Sequence, residues 1–362
     1  MPAYFDNEKK TWYAKFYYTD WTGTKKQKMK RGFKLQREAK EWERDFLEKQ
    51  QRNPDISFQN LFDNYMEDQS ARLRETTLAN KKYLYESHIL PYFKNKAISN
   101  ILPVDVRKWQ NELLSKTDSS GKTYSQTYIK TINNQLVACL NYACKYYGLK
   151  ENPCHKAGSI GKKSADEMQF WTLDEFNTFI KTIDDPCFRA AFMALYYTGA
   201  RIGELFALTP ADIDKEACAI SINKSLAVVD GKTIISEPKT PKSTRTIMVP
   251  PALIEELQGF INMNYDLRPT DRVFSITKAA LTRMMQKHST LAGVKKIRLH
   301  DLRHSHASLL IELGFSPLLI ANRLGHEKIE TTLNTYSHLY PSKESEVTEK
   351  LQNIILVSKQ YQ

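Results

Sequence analysis

Thr198-Gly199-Ala200-Arg201-Ile202-Gly203-Glu204-Leu205 and His300-Asp301-Leu302-Arg303-His304-Ser305-His306 are the stretches around which the rest of this chain can be read. In the first, an apolar helix runs up to Gly199, the chain turns, and a new helix begins that carries Arg201 near its N-terminus. That is a place suited to a phosphate. An i, i+3 ion pair between Arg201 and Glu204 accounts for the same spacing. In the second, His300 and Arg303 are also i, i+3, so on a helix they share a face. Between the two lies Ile220 to Pro250, where Ile220-Ser221-Ile222-Asn223-Lys224 reads as a strand. Asp230-Gly231 reads as a hairpin turn, and Thr246-Ile247-Met248-Val249-Pro250 as the returning strand. Lys239 falls in the connection before that strand. Further on come Leu324-Gly325-His326 and Thr331-Thr332-Leu333-Asn334-Thr335-Tyr336-Ser337-His338. Taken singly, each histidine reads equally well as a core residue, Tyr336 as packing and Lys239 as a solvated lysine.

Upstream, Thr172-Leu173-Asp174-Glu175 is a capping box that opens the largest unit, 165–362. Residues 56–150 read as mostly helical, with candidates Ser57 to Gln69, Thr76 to His88, Pro103 to Ser115 and Ser125 to Tyr147. Ser57, Thr76 and Ser125 are candidate N-caps and Gly148 a C-terminal stop. Asn152-Pro153 and the stretch from Lys156 to Ser164 read as a linker. Residues 1–53 begin with alternating aromatic and polar residues from Trp12 to Tyr18, a strand pattern. Asp20-Trp21-Thr22-Gly23 is a turn signal, Lys25 to Lys30 and Arg31-Gly32-Phe33 read as two further short strands, and Gln36 to Gln51 as a helix with Ala39, Trp42, Phe46 and Lys49 on one stripe. The fold class expected is therefore multidomain and mainly α with small β-sheets.

The charge follows this division. Of a net +12, residues 1–52 hold +6, with 14 Lys/Arg against 8 Asp/Glu. A basic strand ribbon bearing Lys15, Lys25, Lys26, Lys28, Lys30 and Arg31 suits the major groove of DNA. A solubilising face is the plainer alternative. Hydrophobic content of 41% and charged content of 26% exclude a disordered or fibrous chain. The apolar run Ala190 to Tyr197 is too short for a membrane span, and the N-terminus lacks the layout of a signal peptide. Five cysteines without a C-x-x-C pair fit a reducing cytoplasm. There is no phosphate-binding G-x-x-x-x-G-K-[ST] loop and no G-x-S-x-G elbow, which argues against ATP-driven chemistry and against an α/β-hydrolase. His300, His304 and His306 lie close enough in sequence to raise a zinc site, but H-E-x-x-H is absent and no metal is expected.

In their order, Arg201, Lys239, His300-x-x-Arg303, His326 and Tyr336 resemble the tyrosine recombinases of the phage-integrase family, of the type encoded by temperate phages and integrative conjugative elements. The resemblance is most specific at T-G-x-R-x-x-E, H-D-L-R-H, L-G-H and T-x-x-Y-x-H. It implies an arm-type DNA-binding domain at 1–53, a helical core-binding (SAM-like) domain at 54–160 and a mixed α/β catalytic domain at 165–362. It also implies a site-specific DNA recombinase that cuts and rejoins strands through a 3′-phosphotyrosine without cofactor, ATP or metal. By that resemblance Tyr336 is the nucleophile and Arg201 and Arg303 clamp the phosphate. His300 is the proton acceptor, Lys239 the acid for the 5′-oxygen, and His326 a hydrogen-bond donor to the phosphate. Glu204 and Asp301 support the arginine and histidine geometry. The partners implied are double-stranded attachment sites, a homotetramer in the synaptic complex, an excisionase and a DNA-bending host factor, with no membrane. Glu344 to Lys359 reads as a short helix that packs on its own domain or, as in the family, on a neighbouring protomer. The rival readings are a cellular resolvase or invertase of the same chemistry, which the basic N-terminal sheet argues against, and a non-catalytic DNA-binding regulator, which the complete set of six residues argues against. A metal-dependent nuclease would need divalent ions.

Overall fold

The computed structural model describes residues 3–19, 25–51, 56–118, 120–162, 168–229, 231–238, 240–264 and 266–339. The chain divides into two compact units, Met1–Asp166 and Glu167–Gln362.

The first unit contains two separate hydrophobic cores. The smaller lies beneath an antiparallel sheet of β1 (Ala3–Asp6), β2 (Thr11–Thr19) and β3 (Lys25–Phe33), in the order β1-β2-β3, backed by α1 (Gln36–Gln51). Three strands were expected, but their identities differ. Lys25 to Phe33 is one continuous strand, because the bulge between Trp12 and Tyr13 absorbs Gly32 at φ 92° without ending the pairing. The third strand is Ala3–Asp6, which pairs Tyr4 with Tyr13 and Phe5 with Trp12. Ala14 and Ala39 are fully buried, and Phe16, Trp42 and Phe46 pack ring on ring between sheet and helix. The expected turn at 20–23 lies outside the described residues.

The larger core is built by α2 (Phe58–Ser70), α3 (Glu75–Leu84), a π-helical turn (Tyr85–Ile89), α4 (Leu90–Phe93), α5 (Pro103–Ser115), α6 (Gln126–Tyr146) and α7 (Pro153–Ala157). Ser57 and Ser125 accept from Asn60 N and Tyr128 N, as N-caps should. Thr76 does not cap: the N-cap of α3 is two residues earlier, at Arg74, without a side-chain cap. The expected linker also begins too early in sequence. Cys154, Ala157 and Ile160 are buried in this core, and Gln110 Nε2 donates to the Gly158 carbonyl at 2.8 Å. The apolar spacing of those small residues, hidden among Gly, Ser and Lys, is what fastens them.

The second unit starts with α8 (Leu173–Ile180), whose Thr172 and Glu175 form the expected reciprocal cap. Then follow α9 (Pro186–Thr198), α10 (Ile202–Ala207), β4 (Ile213–Asp214), β5 (Ala219–Ile222), β6 (Ser225–Val229), β7 (Lys232–Ser236) and β8 (Arg245–Met248). The unit continues with α11 (Pro251–Asn262), α12 (Lys278–Leu291), α13 (Asp301–Glu312), α14 (Pro317–Leu324) and α15 (Ile329–Tyr336). The single hairpin expected over 220–250 is two structures. β5 pairs with β8, Ile220 opposite Ile247, in a β4-β5-β8 sheet, while β6 and β7 form a separate hairpin between them. Ser221 and Thr246 alternate with the buried Ile220, Ile222 and Ile247, so the sheet keeps one apolar face on a core that holds Trp171, Phe176, Phe192, Leu195 and Phe274. A second, smaller core joins α13, α14 and α15 through Leu310, Ile311, Ile320, Leu324 and Tyr336.

Candidate active site

The site grows from the ends of two helices. α9 is started by Asp185, which accepts from the backbone of Cys187 and Phe188, and is stopped by Gly199 in the left-handed region at φ 65°. α14 is stopped in the same way by Gly325, φ 68°. Both endings leave carbonyls that arginines occupy. Arg303, on α13 and only 3% exposed, donates from Nη1 to Gly199 O at 2.8 Å and from Nη2 to Leu324 O at 2.7 Å. The partial negative charge at helix C-termini makes these good partners for a buried cation. Burial first, and then the charge of Arg201, push the Arg303 guanidinium down to about 9. A Cβ at Gly199 would lie 2.7 Å from both His306 Cδ2 and Leu324 Cδ2. Gly199→Ala is therefore expected to lower stability by roughly 1–3 kcal/mol, measured by urea unfolding.

Arg201 stands at the N-cap of α10. Its backbone N–H donates to Glu204 Oε2 at 2.9 Å and its Nη1 to Glu204 Oε1 at 2.8 Å, which is the i, i+3 pair the spacing allows. The Arg201 side chain keeps 40% of its surface exposed, whereas that of Glu204 keeps 3%. Glu204 has a second cationic partner that sequence reasoning missed: Arg245, on β8, donates from Nη2 at 2.9 Å and from Nε to Arg323 O at 2.8 Å. Burial raises the Glu204 carboxyl, but the hydrogen bond and charge of Arg245, followed by Arg201, outweigh it and leave it below the ordinary glutamate value. Arg323, also missed, donates to His306 Nε2, Met248 O and Tyr197 O and so ties α14 to α9 and to the end of β8.

The histidines diverge. His306 is fully enclosed and faces Arg323. His326, just past the α14 stop, pairs Nδ1 with Thr332 Oγ1 at 2.7 Å. Burial and then the charges of Arg303 and Arg201 push it down to about 4. His300 is likewise lowered, by burial first and then by Arg303. Tyr336, on α15, is 1% exposed, and its hydroxyl meets His304 Nδ1 at 2.7 Å. Among the described residues no hydrogen bond joins it to His300, whose ring stands edge-on to His304 at 5.2 Å. Burial pushes the Tyr336 phenol up to about 12 against the opposing charge of Arg303. Among the described residues the hydrogen bonds of the Asp301 carboxylate go to Arg298, and its charge acts on His300 and His304. The carboxylate accepts from the Arg298 backbone at 2.7 Å and from the Arg298 side chain. Lys239 and the segment 344–359 lie outside the described residues, while Lys242 Nζ reaches Glu327 O beside His326. Among the described residues no group of three or more His, Cys, Asp or Glu could hold a metal ion, and no helix is long and apolar enough to cross a membrane.

Residues 169–343 match the Phage integrase family, residues 57–114 the N-terminal SAM-like domain of phage integrases, and residues 2–50 an Arm DNA-binding domain. The chain belongs to the phage integrase family. It is a tyrosine integrase, an enzyme of site-specific DNA recombination. It is 28% identical over 347 residues to the ICEBs1 integrase of Bacillus subtilis strain 168, covering 92% of this chain and 91% of that one. With the integrase of Mycobacterium phage D29 it shares 27% over 289 residues, 75% of this chain and 74% of the phage protein. Two solved structures have the same fold. The Tn1549 transposon integrase in complex with transposon right end DNA aligns with a TM-score of 0.67 at 19% identity, over 82% of this chain and 99% of that one. A lambda integrase dimer bound to a COC′ core site aligns with 0.60 at 16%, over 95% and 96%.

In the integrase's N-terminal sheet the six expected basic residues do not share a face. Cross-strand pairing sets Lys15, Lys25 and Arg31 on the open side with Tyr13 and Tyr17, where Lys25 and Arg31 lie over those two rings. Lys26, Lys28 and Lys30 alternate to the helix side. There Lys28 lies over Phe46, and Lys30 over Phe33 and Trp42.

Proposed function

We propose that this integrase cuts and rejoins duplex attachment sites through a covalent bond between Tyr336 and a 3′-phosphate, and thereby integrates and excises a mobile element in the bacterial cytoplasm. The observation that carries this reading is the concentration of arginines around Arg303 and His326, with the charge of Arg303 reaching the Tyr336 hydroxyl. Arg201, Arg303 and Arg245 press on His326 and on one another, and Glu204 is the carboxylate among them. Such a field calls for an anion, and a transferring phosphoryl group gains negative charge on its non-bridging oxygens at the transition state. Arg201, with its exposed guanidinium, and Arg303 would each offer two N–H groups to those oxygens. His326 would hydrogen-bond the phosphate, and Tyr336 would attack in line. The Tyr336 proton passes to a neighbouring histidine, while Lys239 supplies the proton for the departing 5′-oxygen. Glu204 keeps Arg201 at its angle. The phosphotyrosine keeps the energy of the broken bond, so a second strand can reverse the step without ATP.

Joining two duplexes requires four such sites, so the working assembly is a homotetramer, with an excisionase and a DNA-bending host factor setting direction. The relatives named above, an integrative-element integrase and a phage integrase, support the mobile-element reading. The test is a duplex from the ends of the encoding element, nicked so that the cleaved strand diffuses away, incubated with the protein in EDTA. A DNA-linked protein band on a denaturing gel is expected. Cleavage only with added magnesium would replace this reading by a metal nuclease, and tight binding without a covalent band by a regulator.

The open face of the N-terminal sheet is the proposed arm-site surface. Replacing Lys15, Lys25 and Arg31 together by alanine should lower the slope of log K against log salt by about 2–3, at about 0.9 per lost phosphate contact. The Lys28/Lys30 double substitution should lower it far less, because the register turns those side chains to the face that α1 covers. An equal effect of both sets, read by fluorescence anisotropy across a salt series, would refute the assignment of faces.

A further inference from the structure

We propose that His304, rather than His300, is the base that takes the Tyr336 proton at cleavage and returns it at religation. The proposal rests on the phosphotyrosine reading above and names the proton carrier within it. Three observations on the site converge. First, the Tyr336 hydroxyl lies 2.7 Å from His304 Nδ1, the length of a strong hydrogen bond to the reacting oxygen. Second, the approach is fixed from both sides. Tyr336 is 1% exposed and belongs to the small core formed with Leu310, Ile311, Ile320 and Leu324. His304 is held on α13 with its ring against that of His300. Third, the groups around His304 keep it neutral. His300 and Asp301 on its own segment, Arg303 beside it, Arg298 before the helix, Tyr336 from α15 and His326 from the α14 end are the titratable or charged neighbours, and Asp301 is the one anion among them. Burial, followed by His300, pushes the imidazole down to about 4, so at neutral pH the ring is free to accept.

The step balances as follows. As Tyr336 Oη bonds to phosphorus and the bond from phosphorus to the 5′-oxygen breaks, the phenolic proton moves to His304 Nδ1, with the ring in the tautomer that carries its own proton on Nε2. The leaving oxygen takes its proton from a different donor, Lys239 in the reading above. On religation the 5′-hydroxyl attacks, and His304 gives the proton back to the departing phenolate.

The experiment compares full-length wild type, His304→Ala, His304→Asn and Tyr336→Phe in single-turnover cleavage of the nicked duplex. A second duplex carries sulfur at the 5′-bridging position of the scissile bond. Asn keeps an acceptor near the place of Nδ1 but cannot carry the proton. Both His304 variants are expected to form the covalent complex roughly 10²–10³-fold more slowly at neutral pH. Wild type should be nearly flat between about pH 6 and pH 9, and the variants should accelerate by about tenfold per pH unit as solvent hydroxide takes over. Sulfur, which leaves without a proton, should not rescue them. Melting temperature and DNA affinity, measured alongside, identify any variant that has lost its fold, and His304→Asn carries the test if His304→Ala does not fold. Cleavage at the wild-type rate or faster in either variant would overturn the proposal, as would a flat pH profile in His304→Asn or rescue by sulfur. A covalent band from Tyr336→Phe would instead overturn the phosphotyrosine reading itself.

Discussion

Tyr336→Phe will form no covalent protein–DNA product while binding DNA almost as well as wild type. The expected loss of cleavage is at least about four orders of magnitude, since the proposed mechanism needs the Tyr336 hydroxyl oxygen to bond to phosphorus. Binding should change by no more than roughly threefold, because a buried hydrogen bond is worth ~1 kcal/mol and this one is internal to the protein. Stability should fall only slightly. The ring remains in the core of α13, α14 and α15, and the change leaves a single acceptor, His304 Nδ1, without its partner. A gel-shift titration run beside the denaturing gel separates the two quantities. A large loss of affinity would mean that the hydroxyl touches DNA before it reacts, and that the enclosed position of Tyr336 is not the one in which DNA is first met.

Glu204→Ala has the second largest expected effect, and it falls on stability as well as on activity. The carboxylate is the shared counter-charge of Arg201 and Arg245, and both it and Arg245 are almost completely enclosed. Removing one partner of a buried ion pair leaves the other charge unpaired, at a cost of roughly 3–5 kcal/mol. For a unit of this size, melting should move down by about 10 °C. The pH dependence has a definite sign. Because the Glu204 carboxyl is lowered in the folded chain, its stabilisation is complete above the unfolded glutamate value of ~4.3 and is lost as pH falls through the lower folded value. Wild type should therefore lose stability on acidification below about pH 4. Glu204→Gln should start lower and lose less. Equal acid sensitivity in the two would remove Glu204 from the list of groups that hold this unit together. In cleavage, Glu204→Gln should slow the reaction, because Arg201 keeps one acceptor but loses the charge that fixes its fork.

Much of the fold was legible because its elements are local. Thr172 with Glu175, Ser57, Ser125 and Gly199 each act on residues within one helical turn, and the helices from Pro103 to Ser115 and Gln36 to Gln51 lie where their composition puts them. What escaped was non-local. The strand Ala3–Asp6 is defined by its partner Thr11–Ala14, and the division of 220–250 into a sheet and a hairpin is a matter of pairing that alternation cannot assign. In the site, the ordered blocks brought Arg201, His300, Arg303, His326 and Tyr336 to attention. Arg245 lies 41 residues from Glu204, and Arg323 binds two carbonyls and an imidazole from three separate segments, so no spacing could announce either. His304 was quoted within its block, but the i, i+3 rule selects His300 with Arg303. Only the packing of α15 against α13 turns the next residue toward the tyrosine. The same limit applies to the basic strand, where alternation splits six residues of one charge between two faces.

The double engagement of Glu204 also bears on how long a cut strand can wait. A phosphotyrosine is at risk from water whenever a nearby carboxylate can deprotonate one. Here Glu204 is enclosed by Arg201 and Arg245, its acidity is enhanced, and Asp301 is occupied by Arg298. Neither is free to activate a solvent molecule. In the proposed reaction the covalent intermediate would thereby be guarded against hydrolytic leakage, and its lifetime would be set by the arrival of the correct 5′-end. On that mechanism, the ion pairs that hold Arg201 and Arg245 would also govern the fidelity with which a broken strand is resealed.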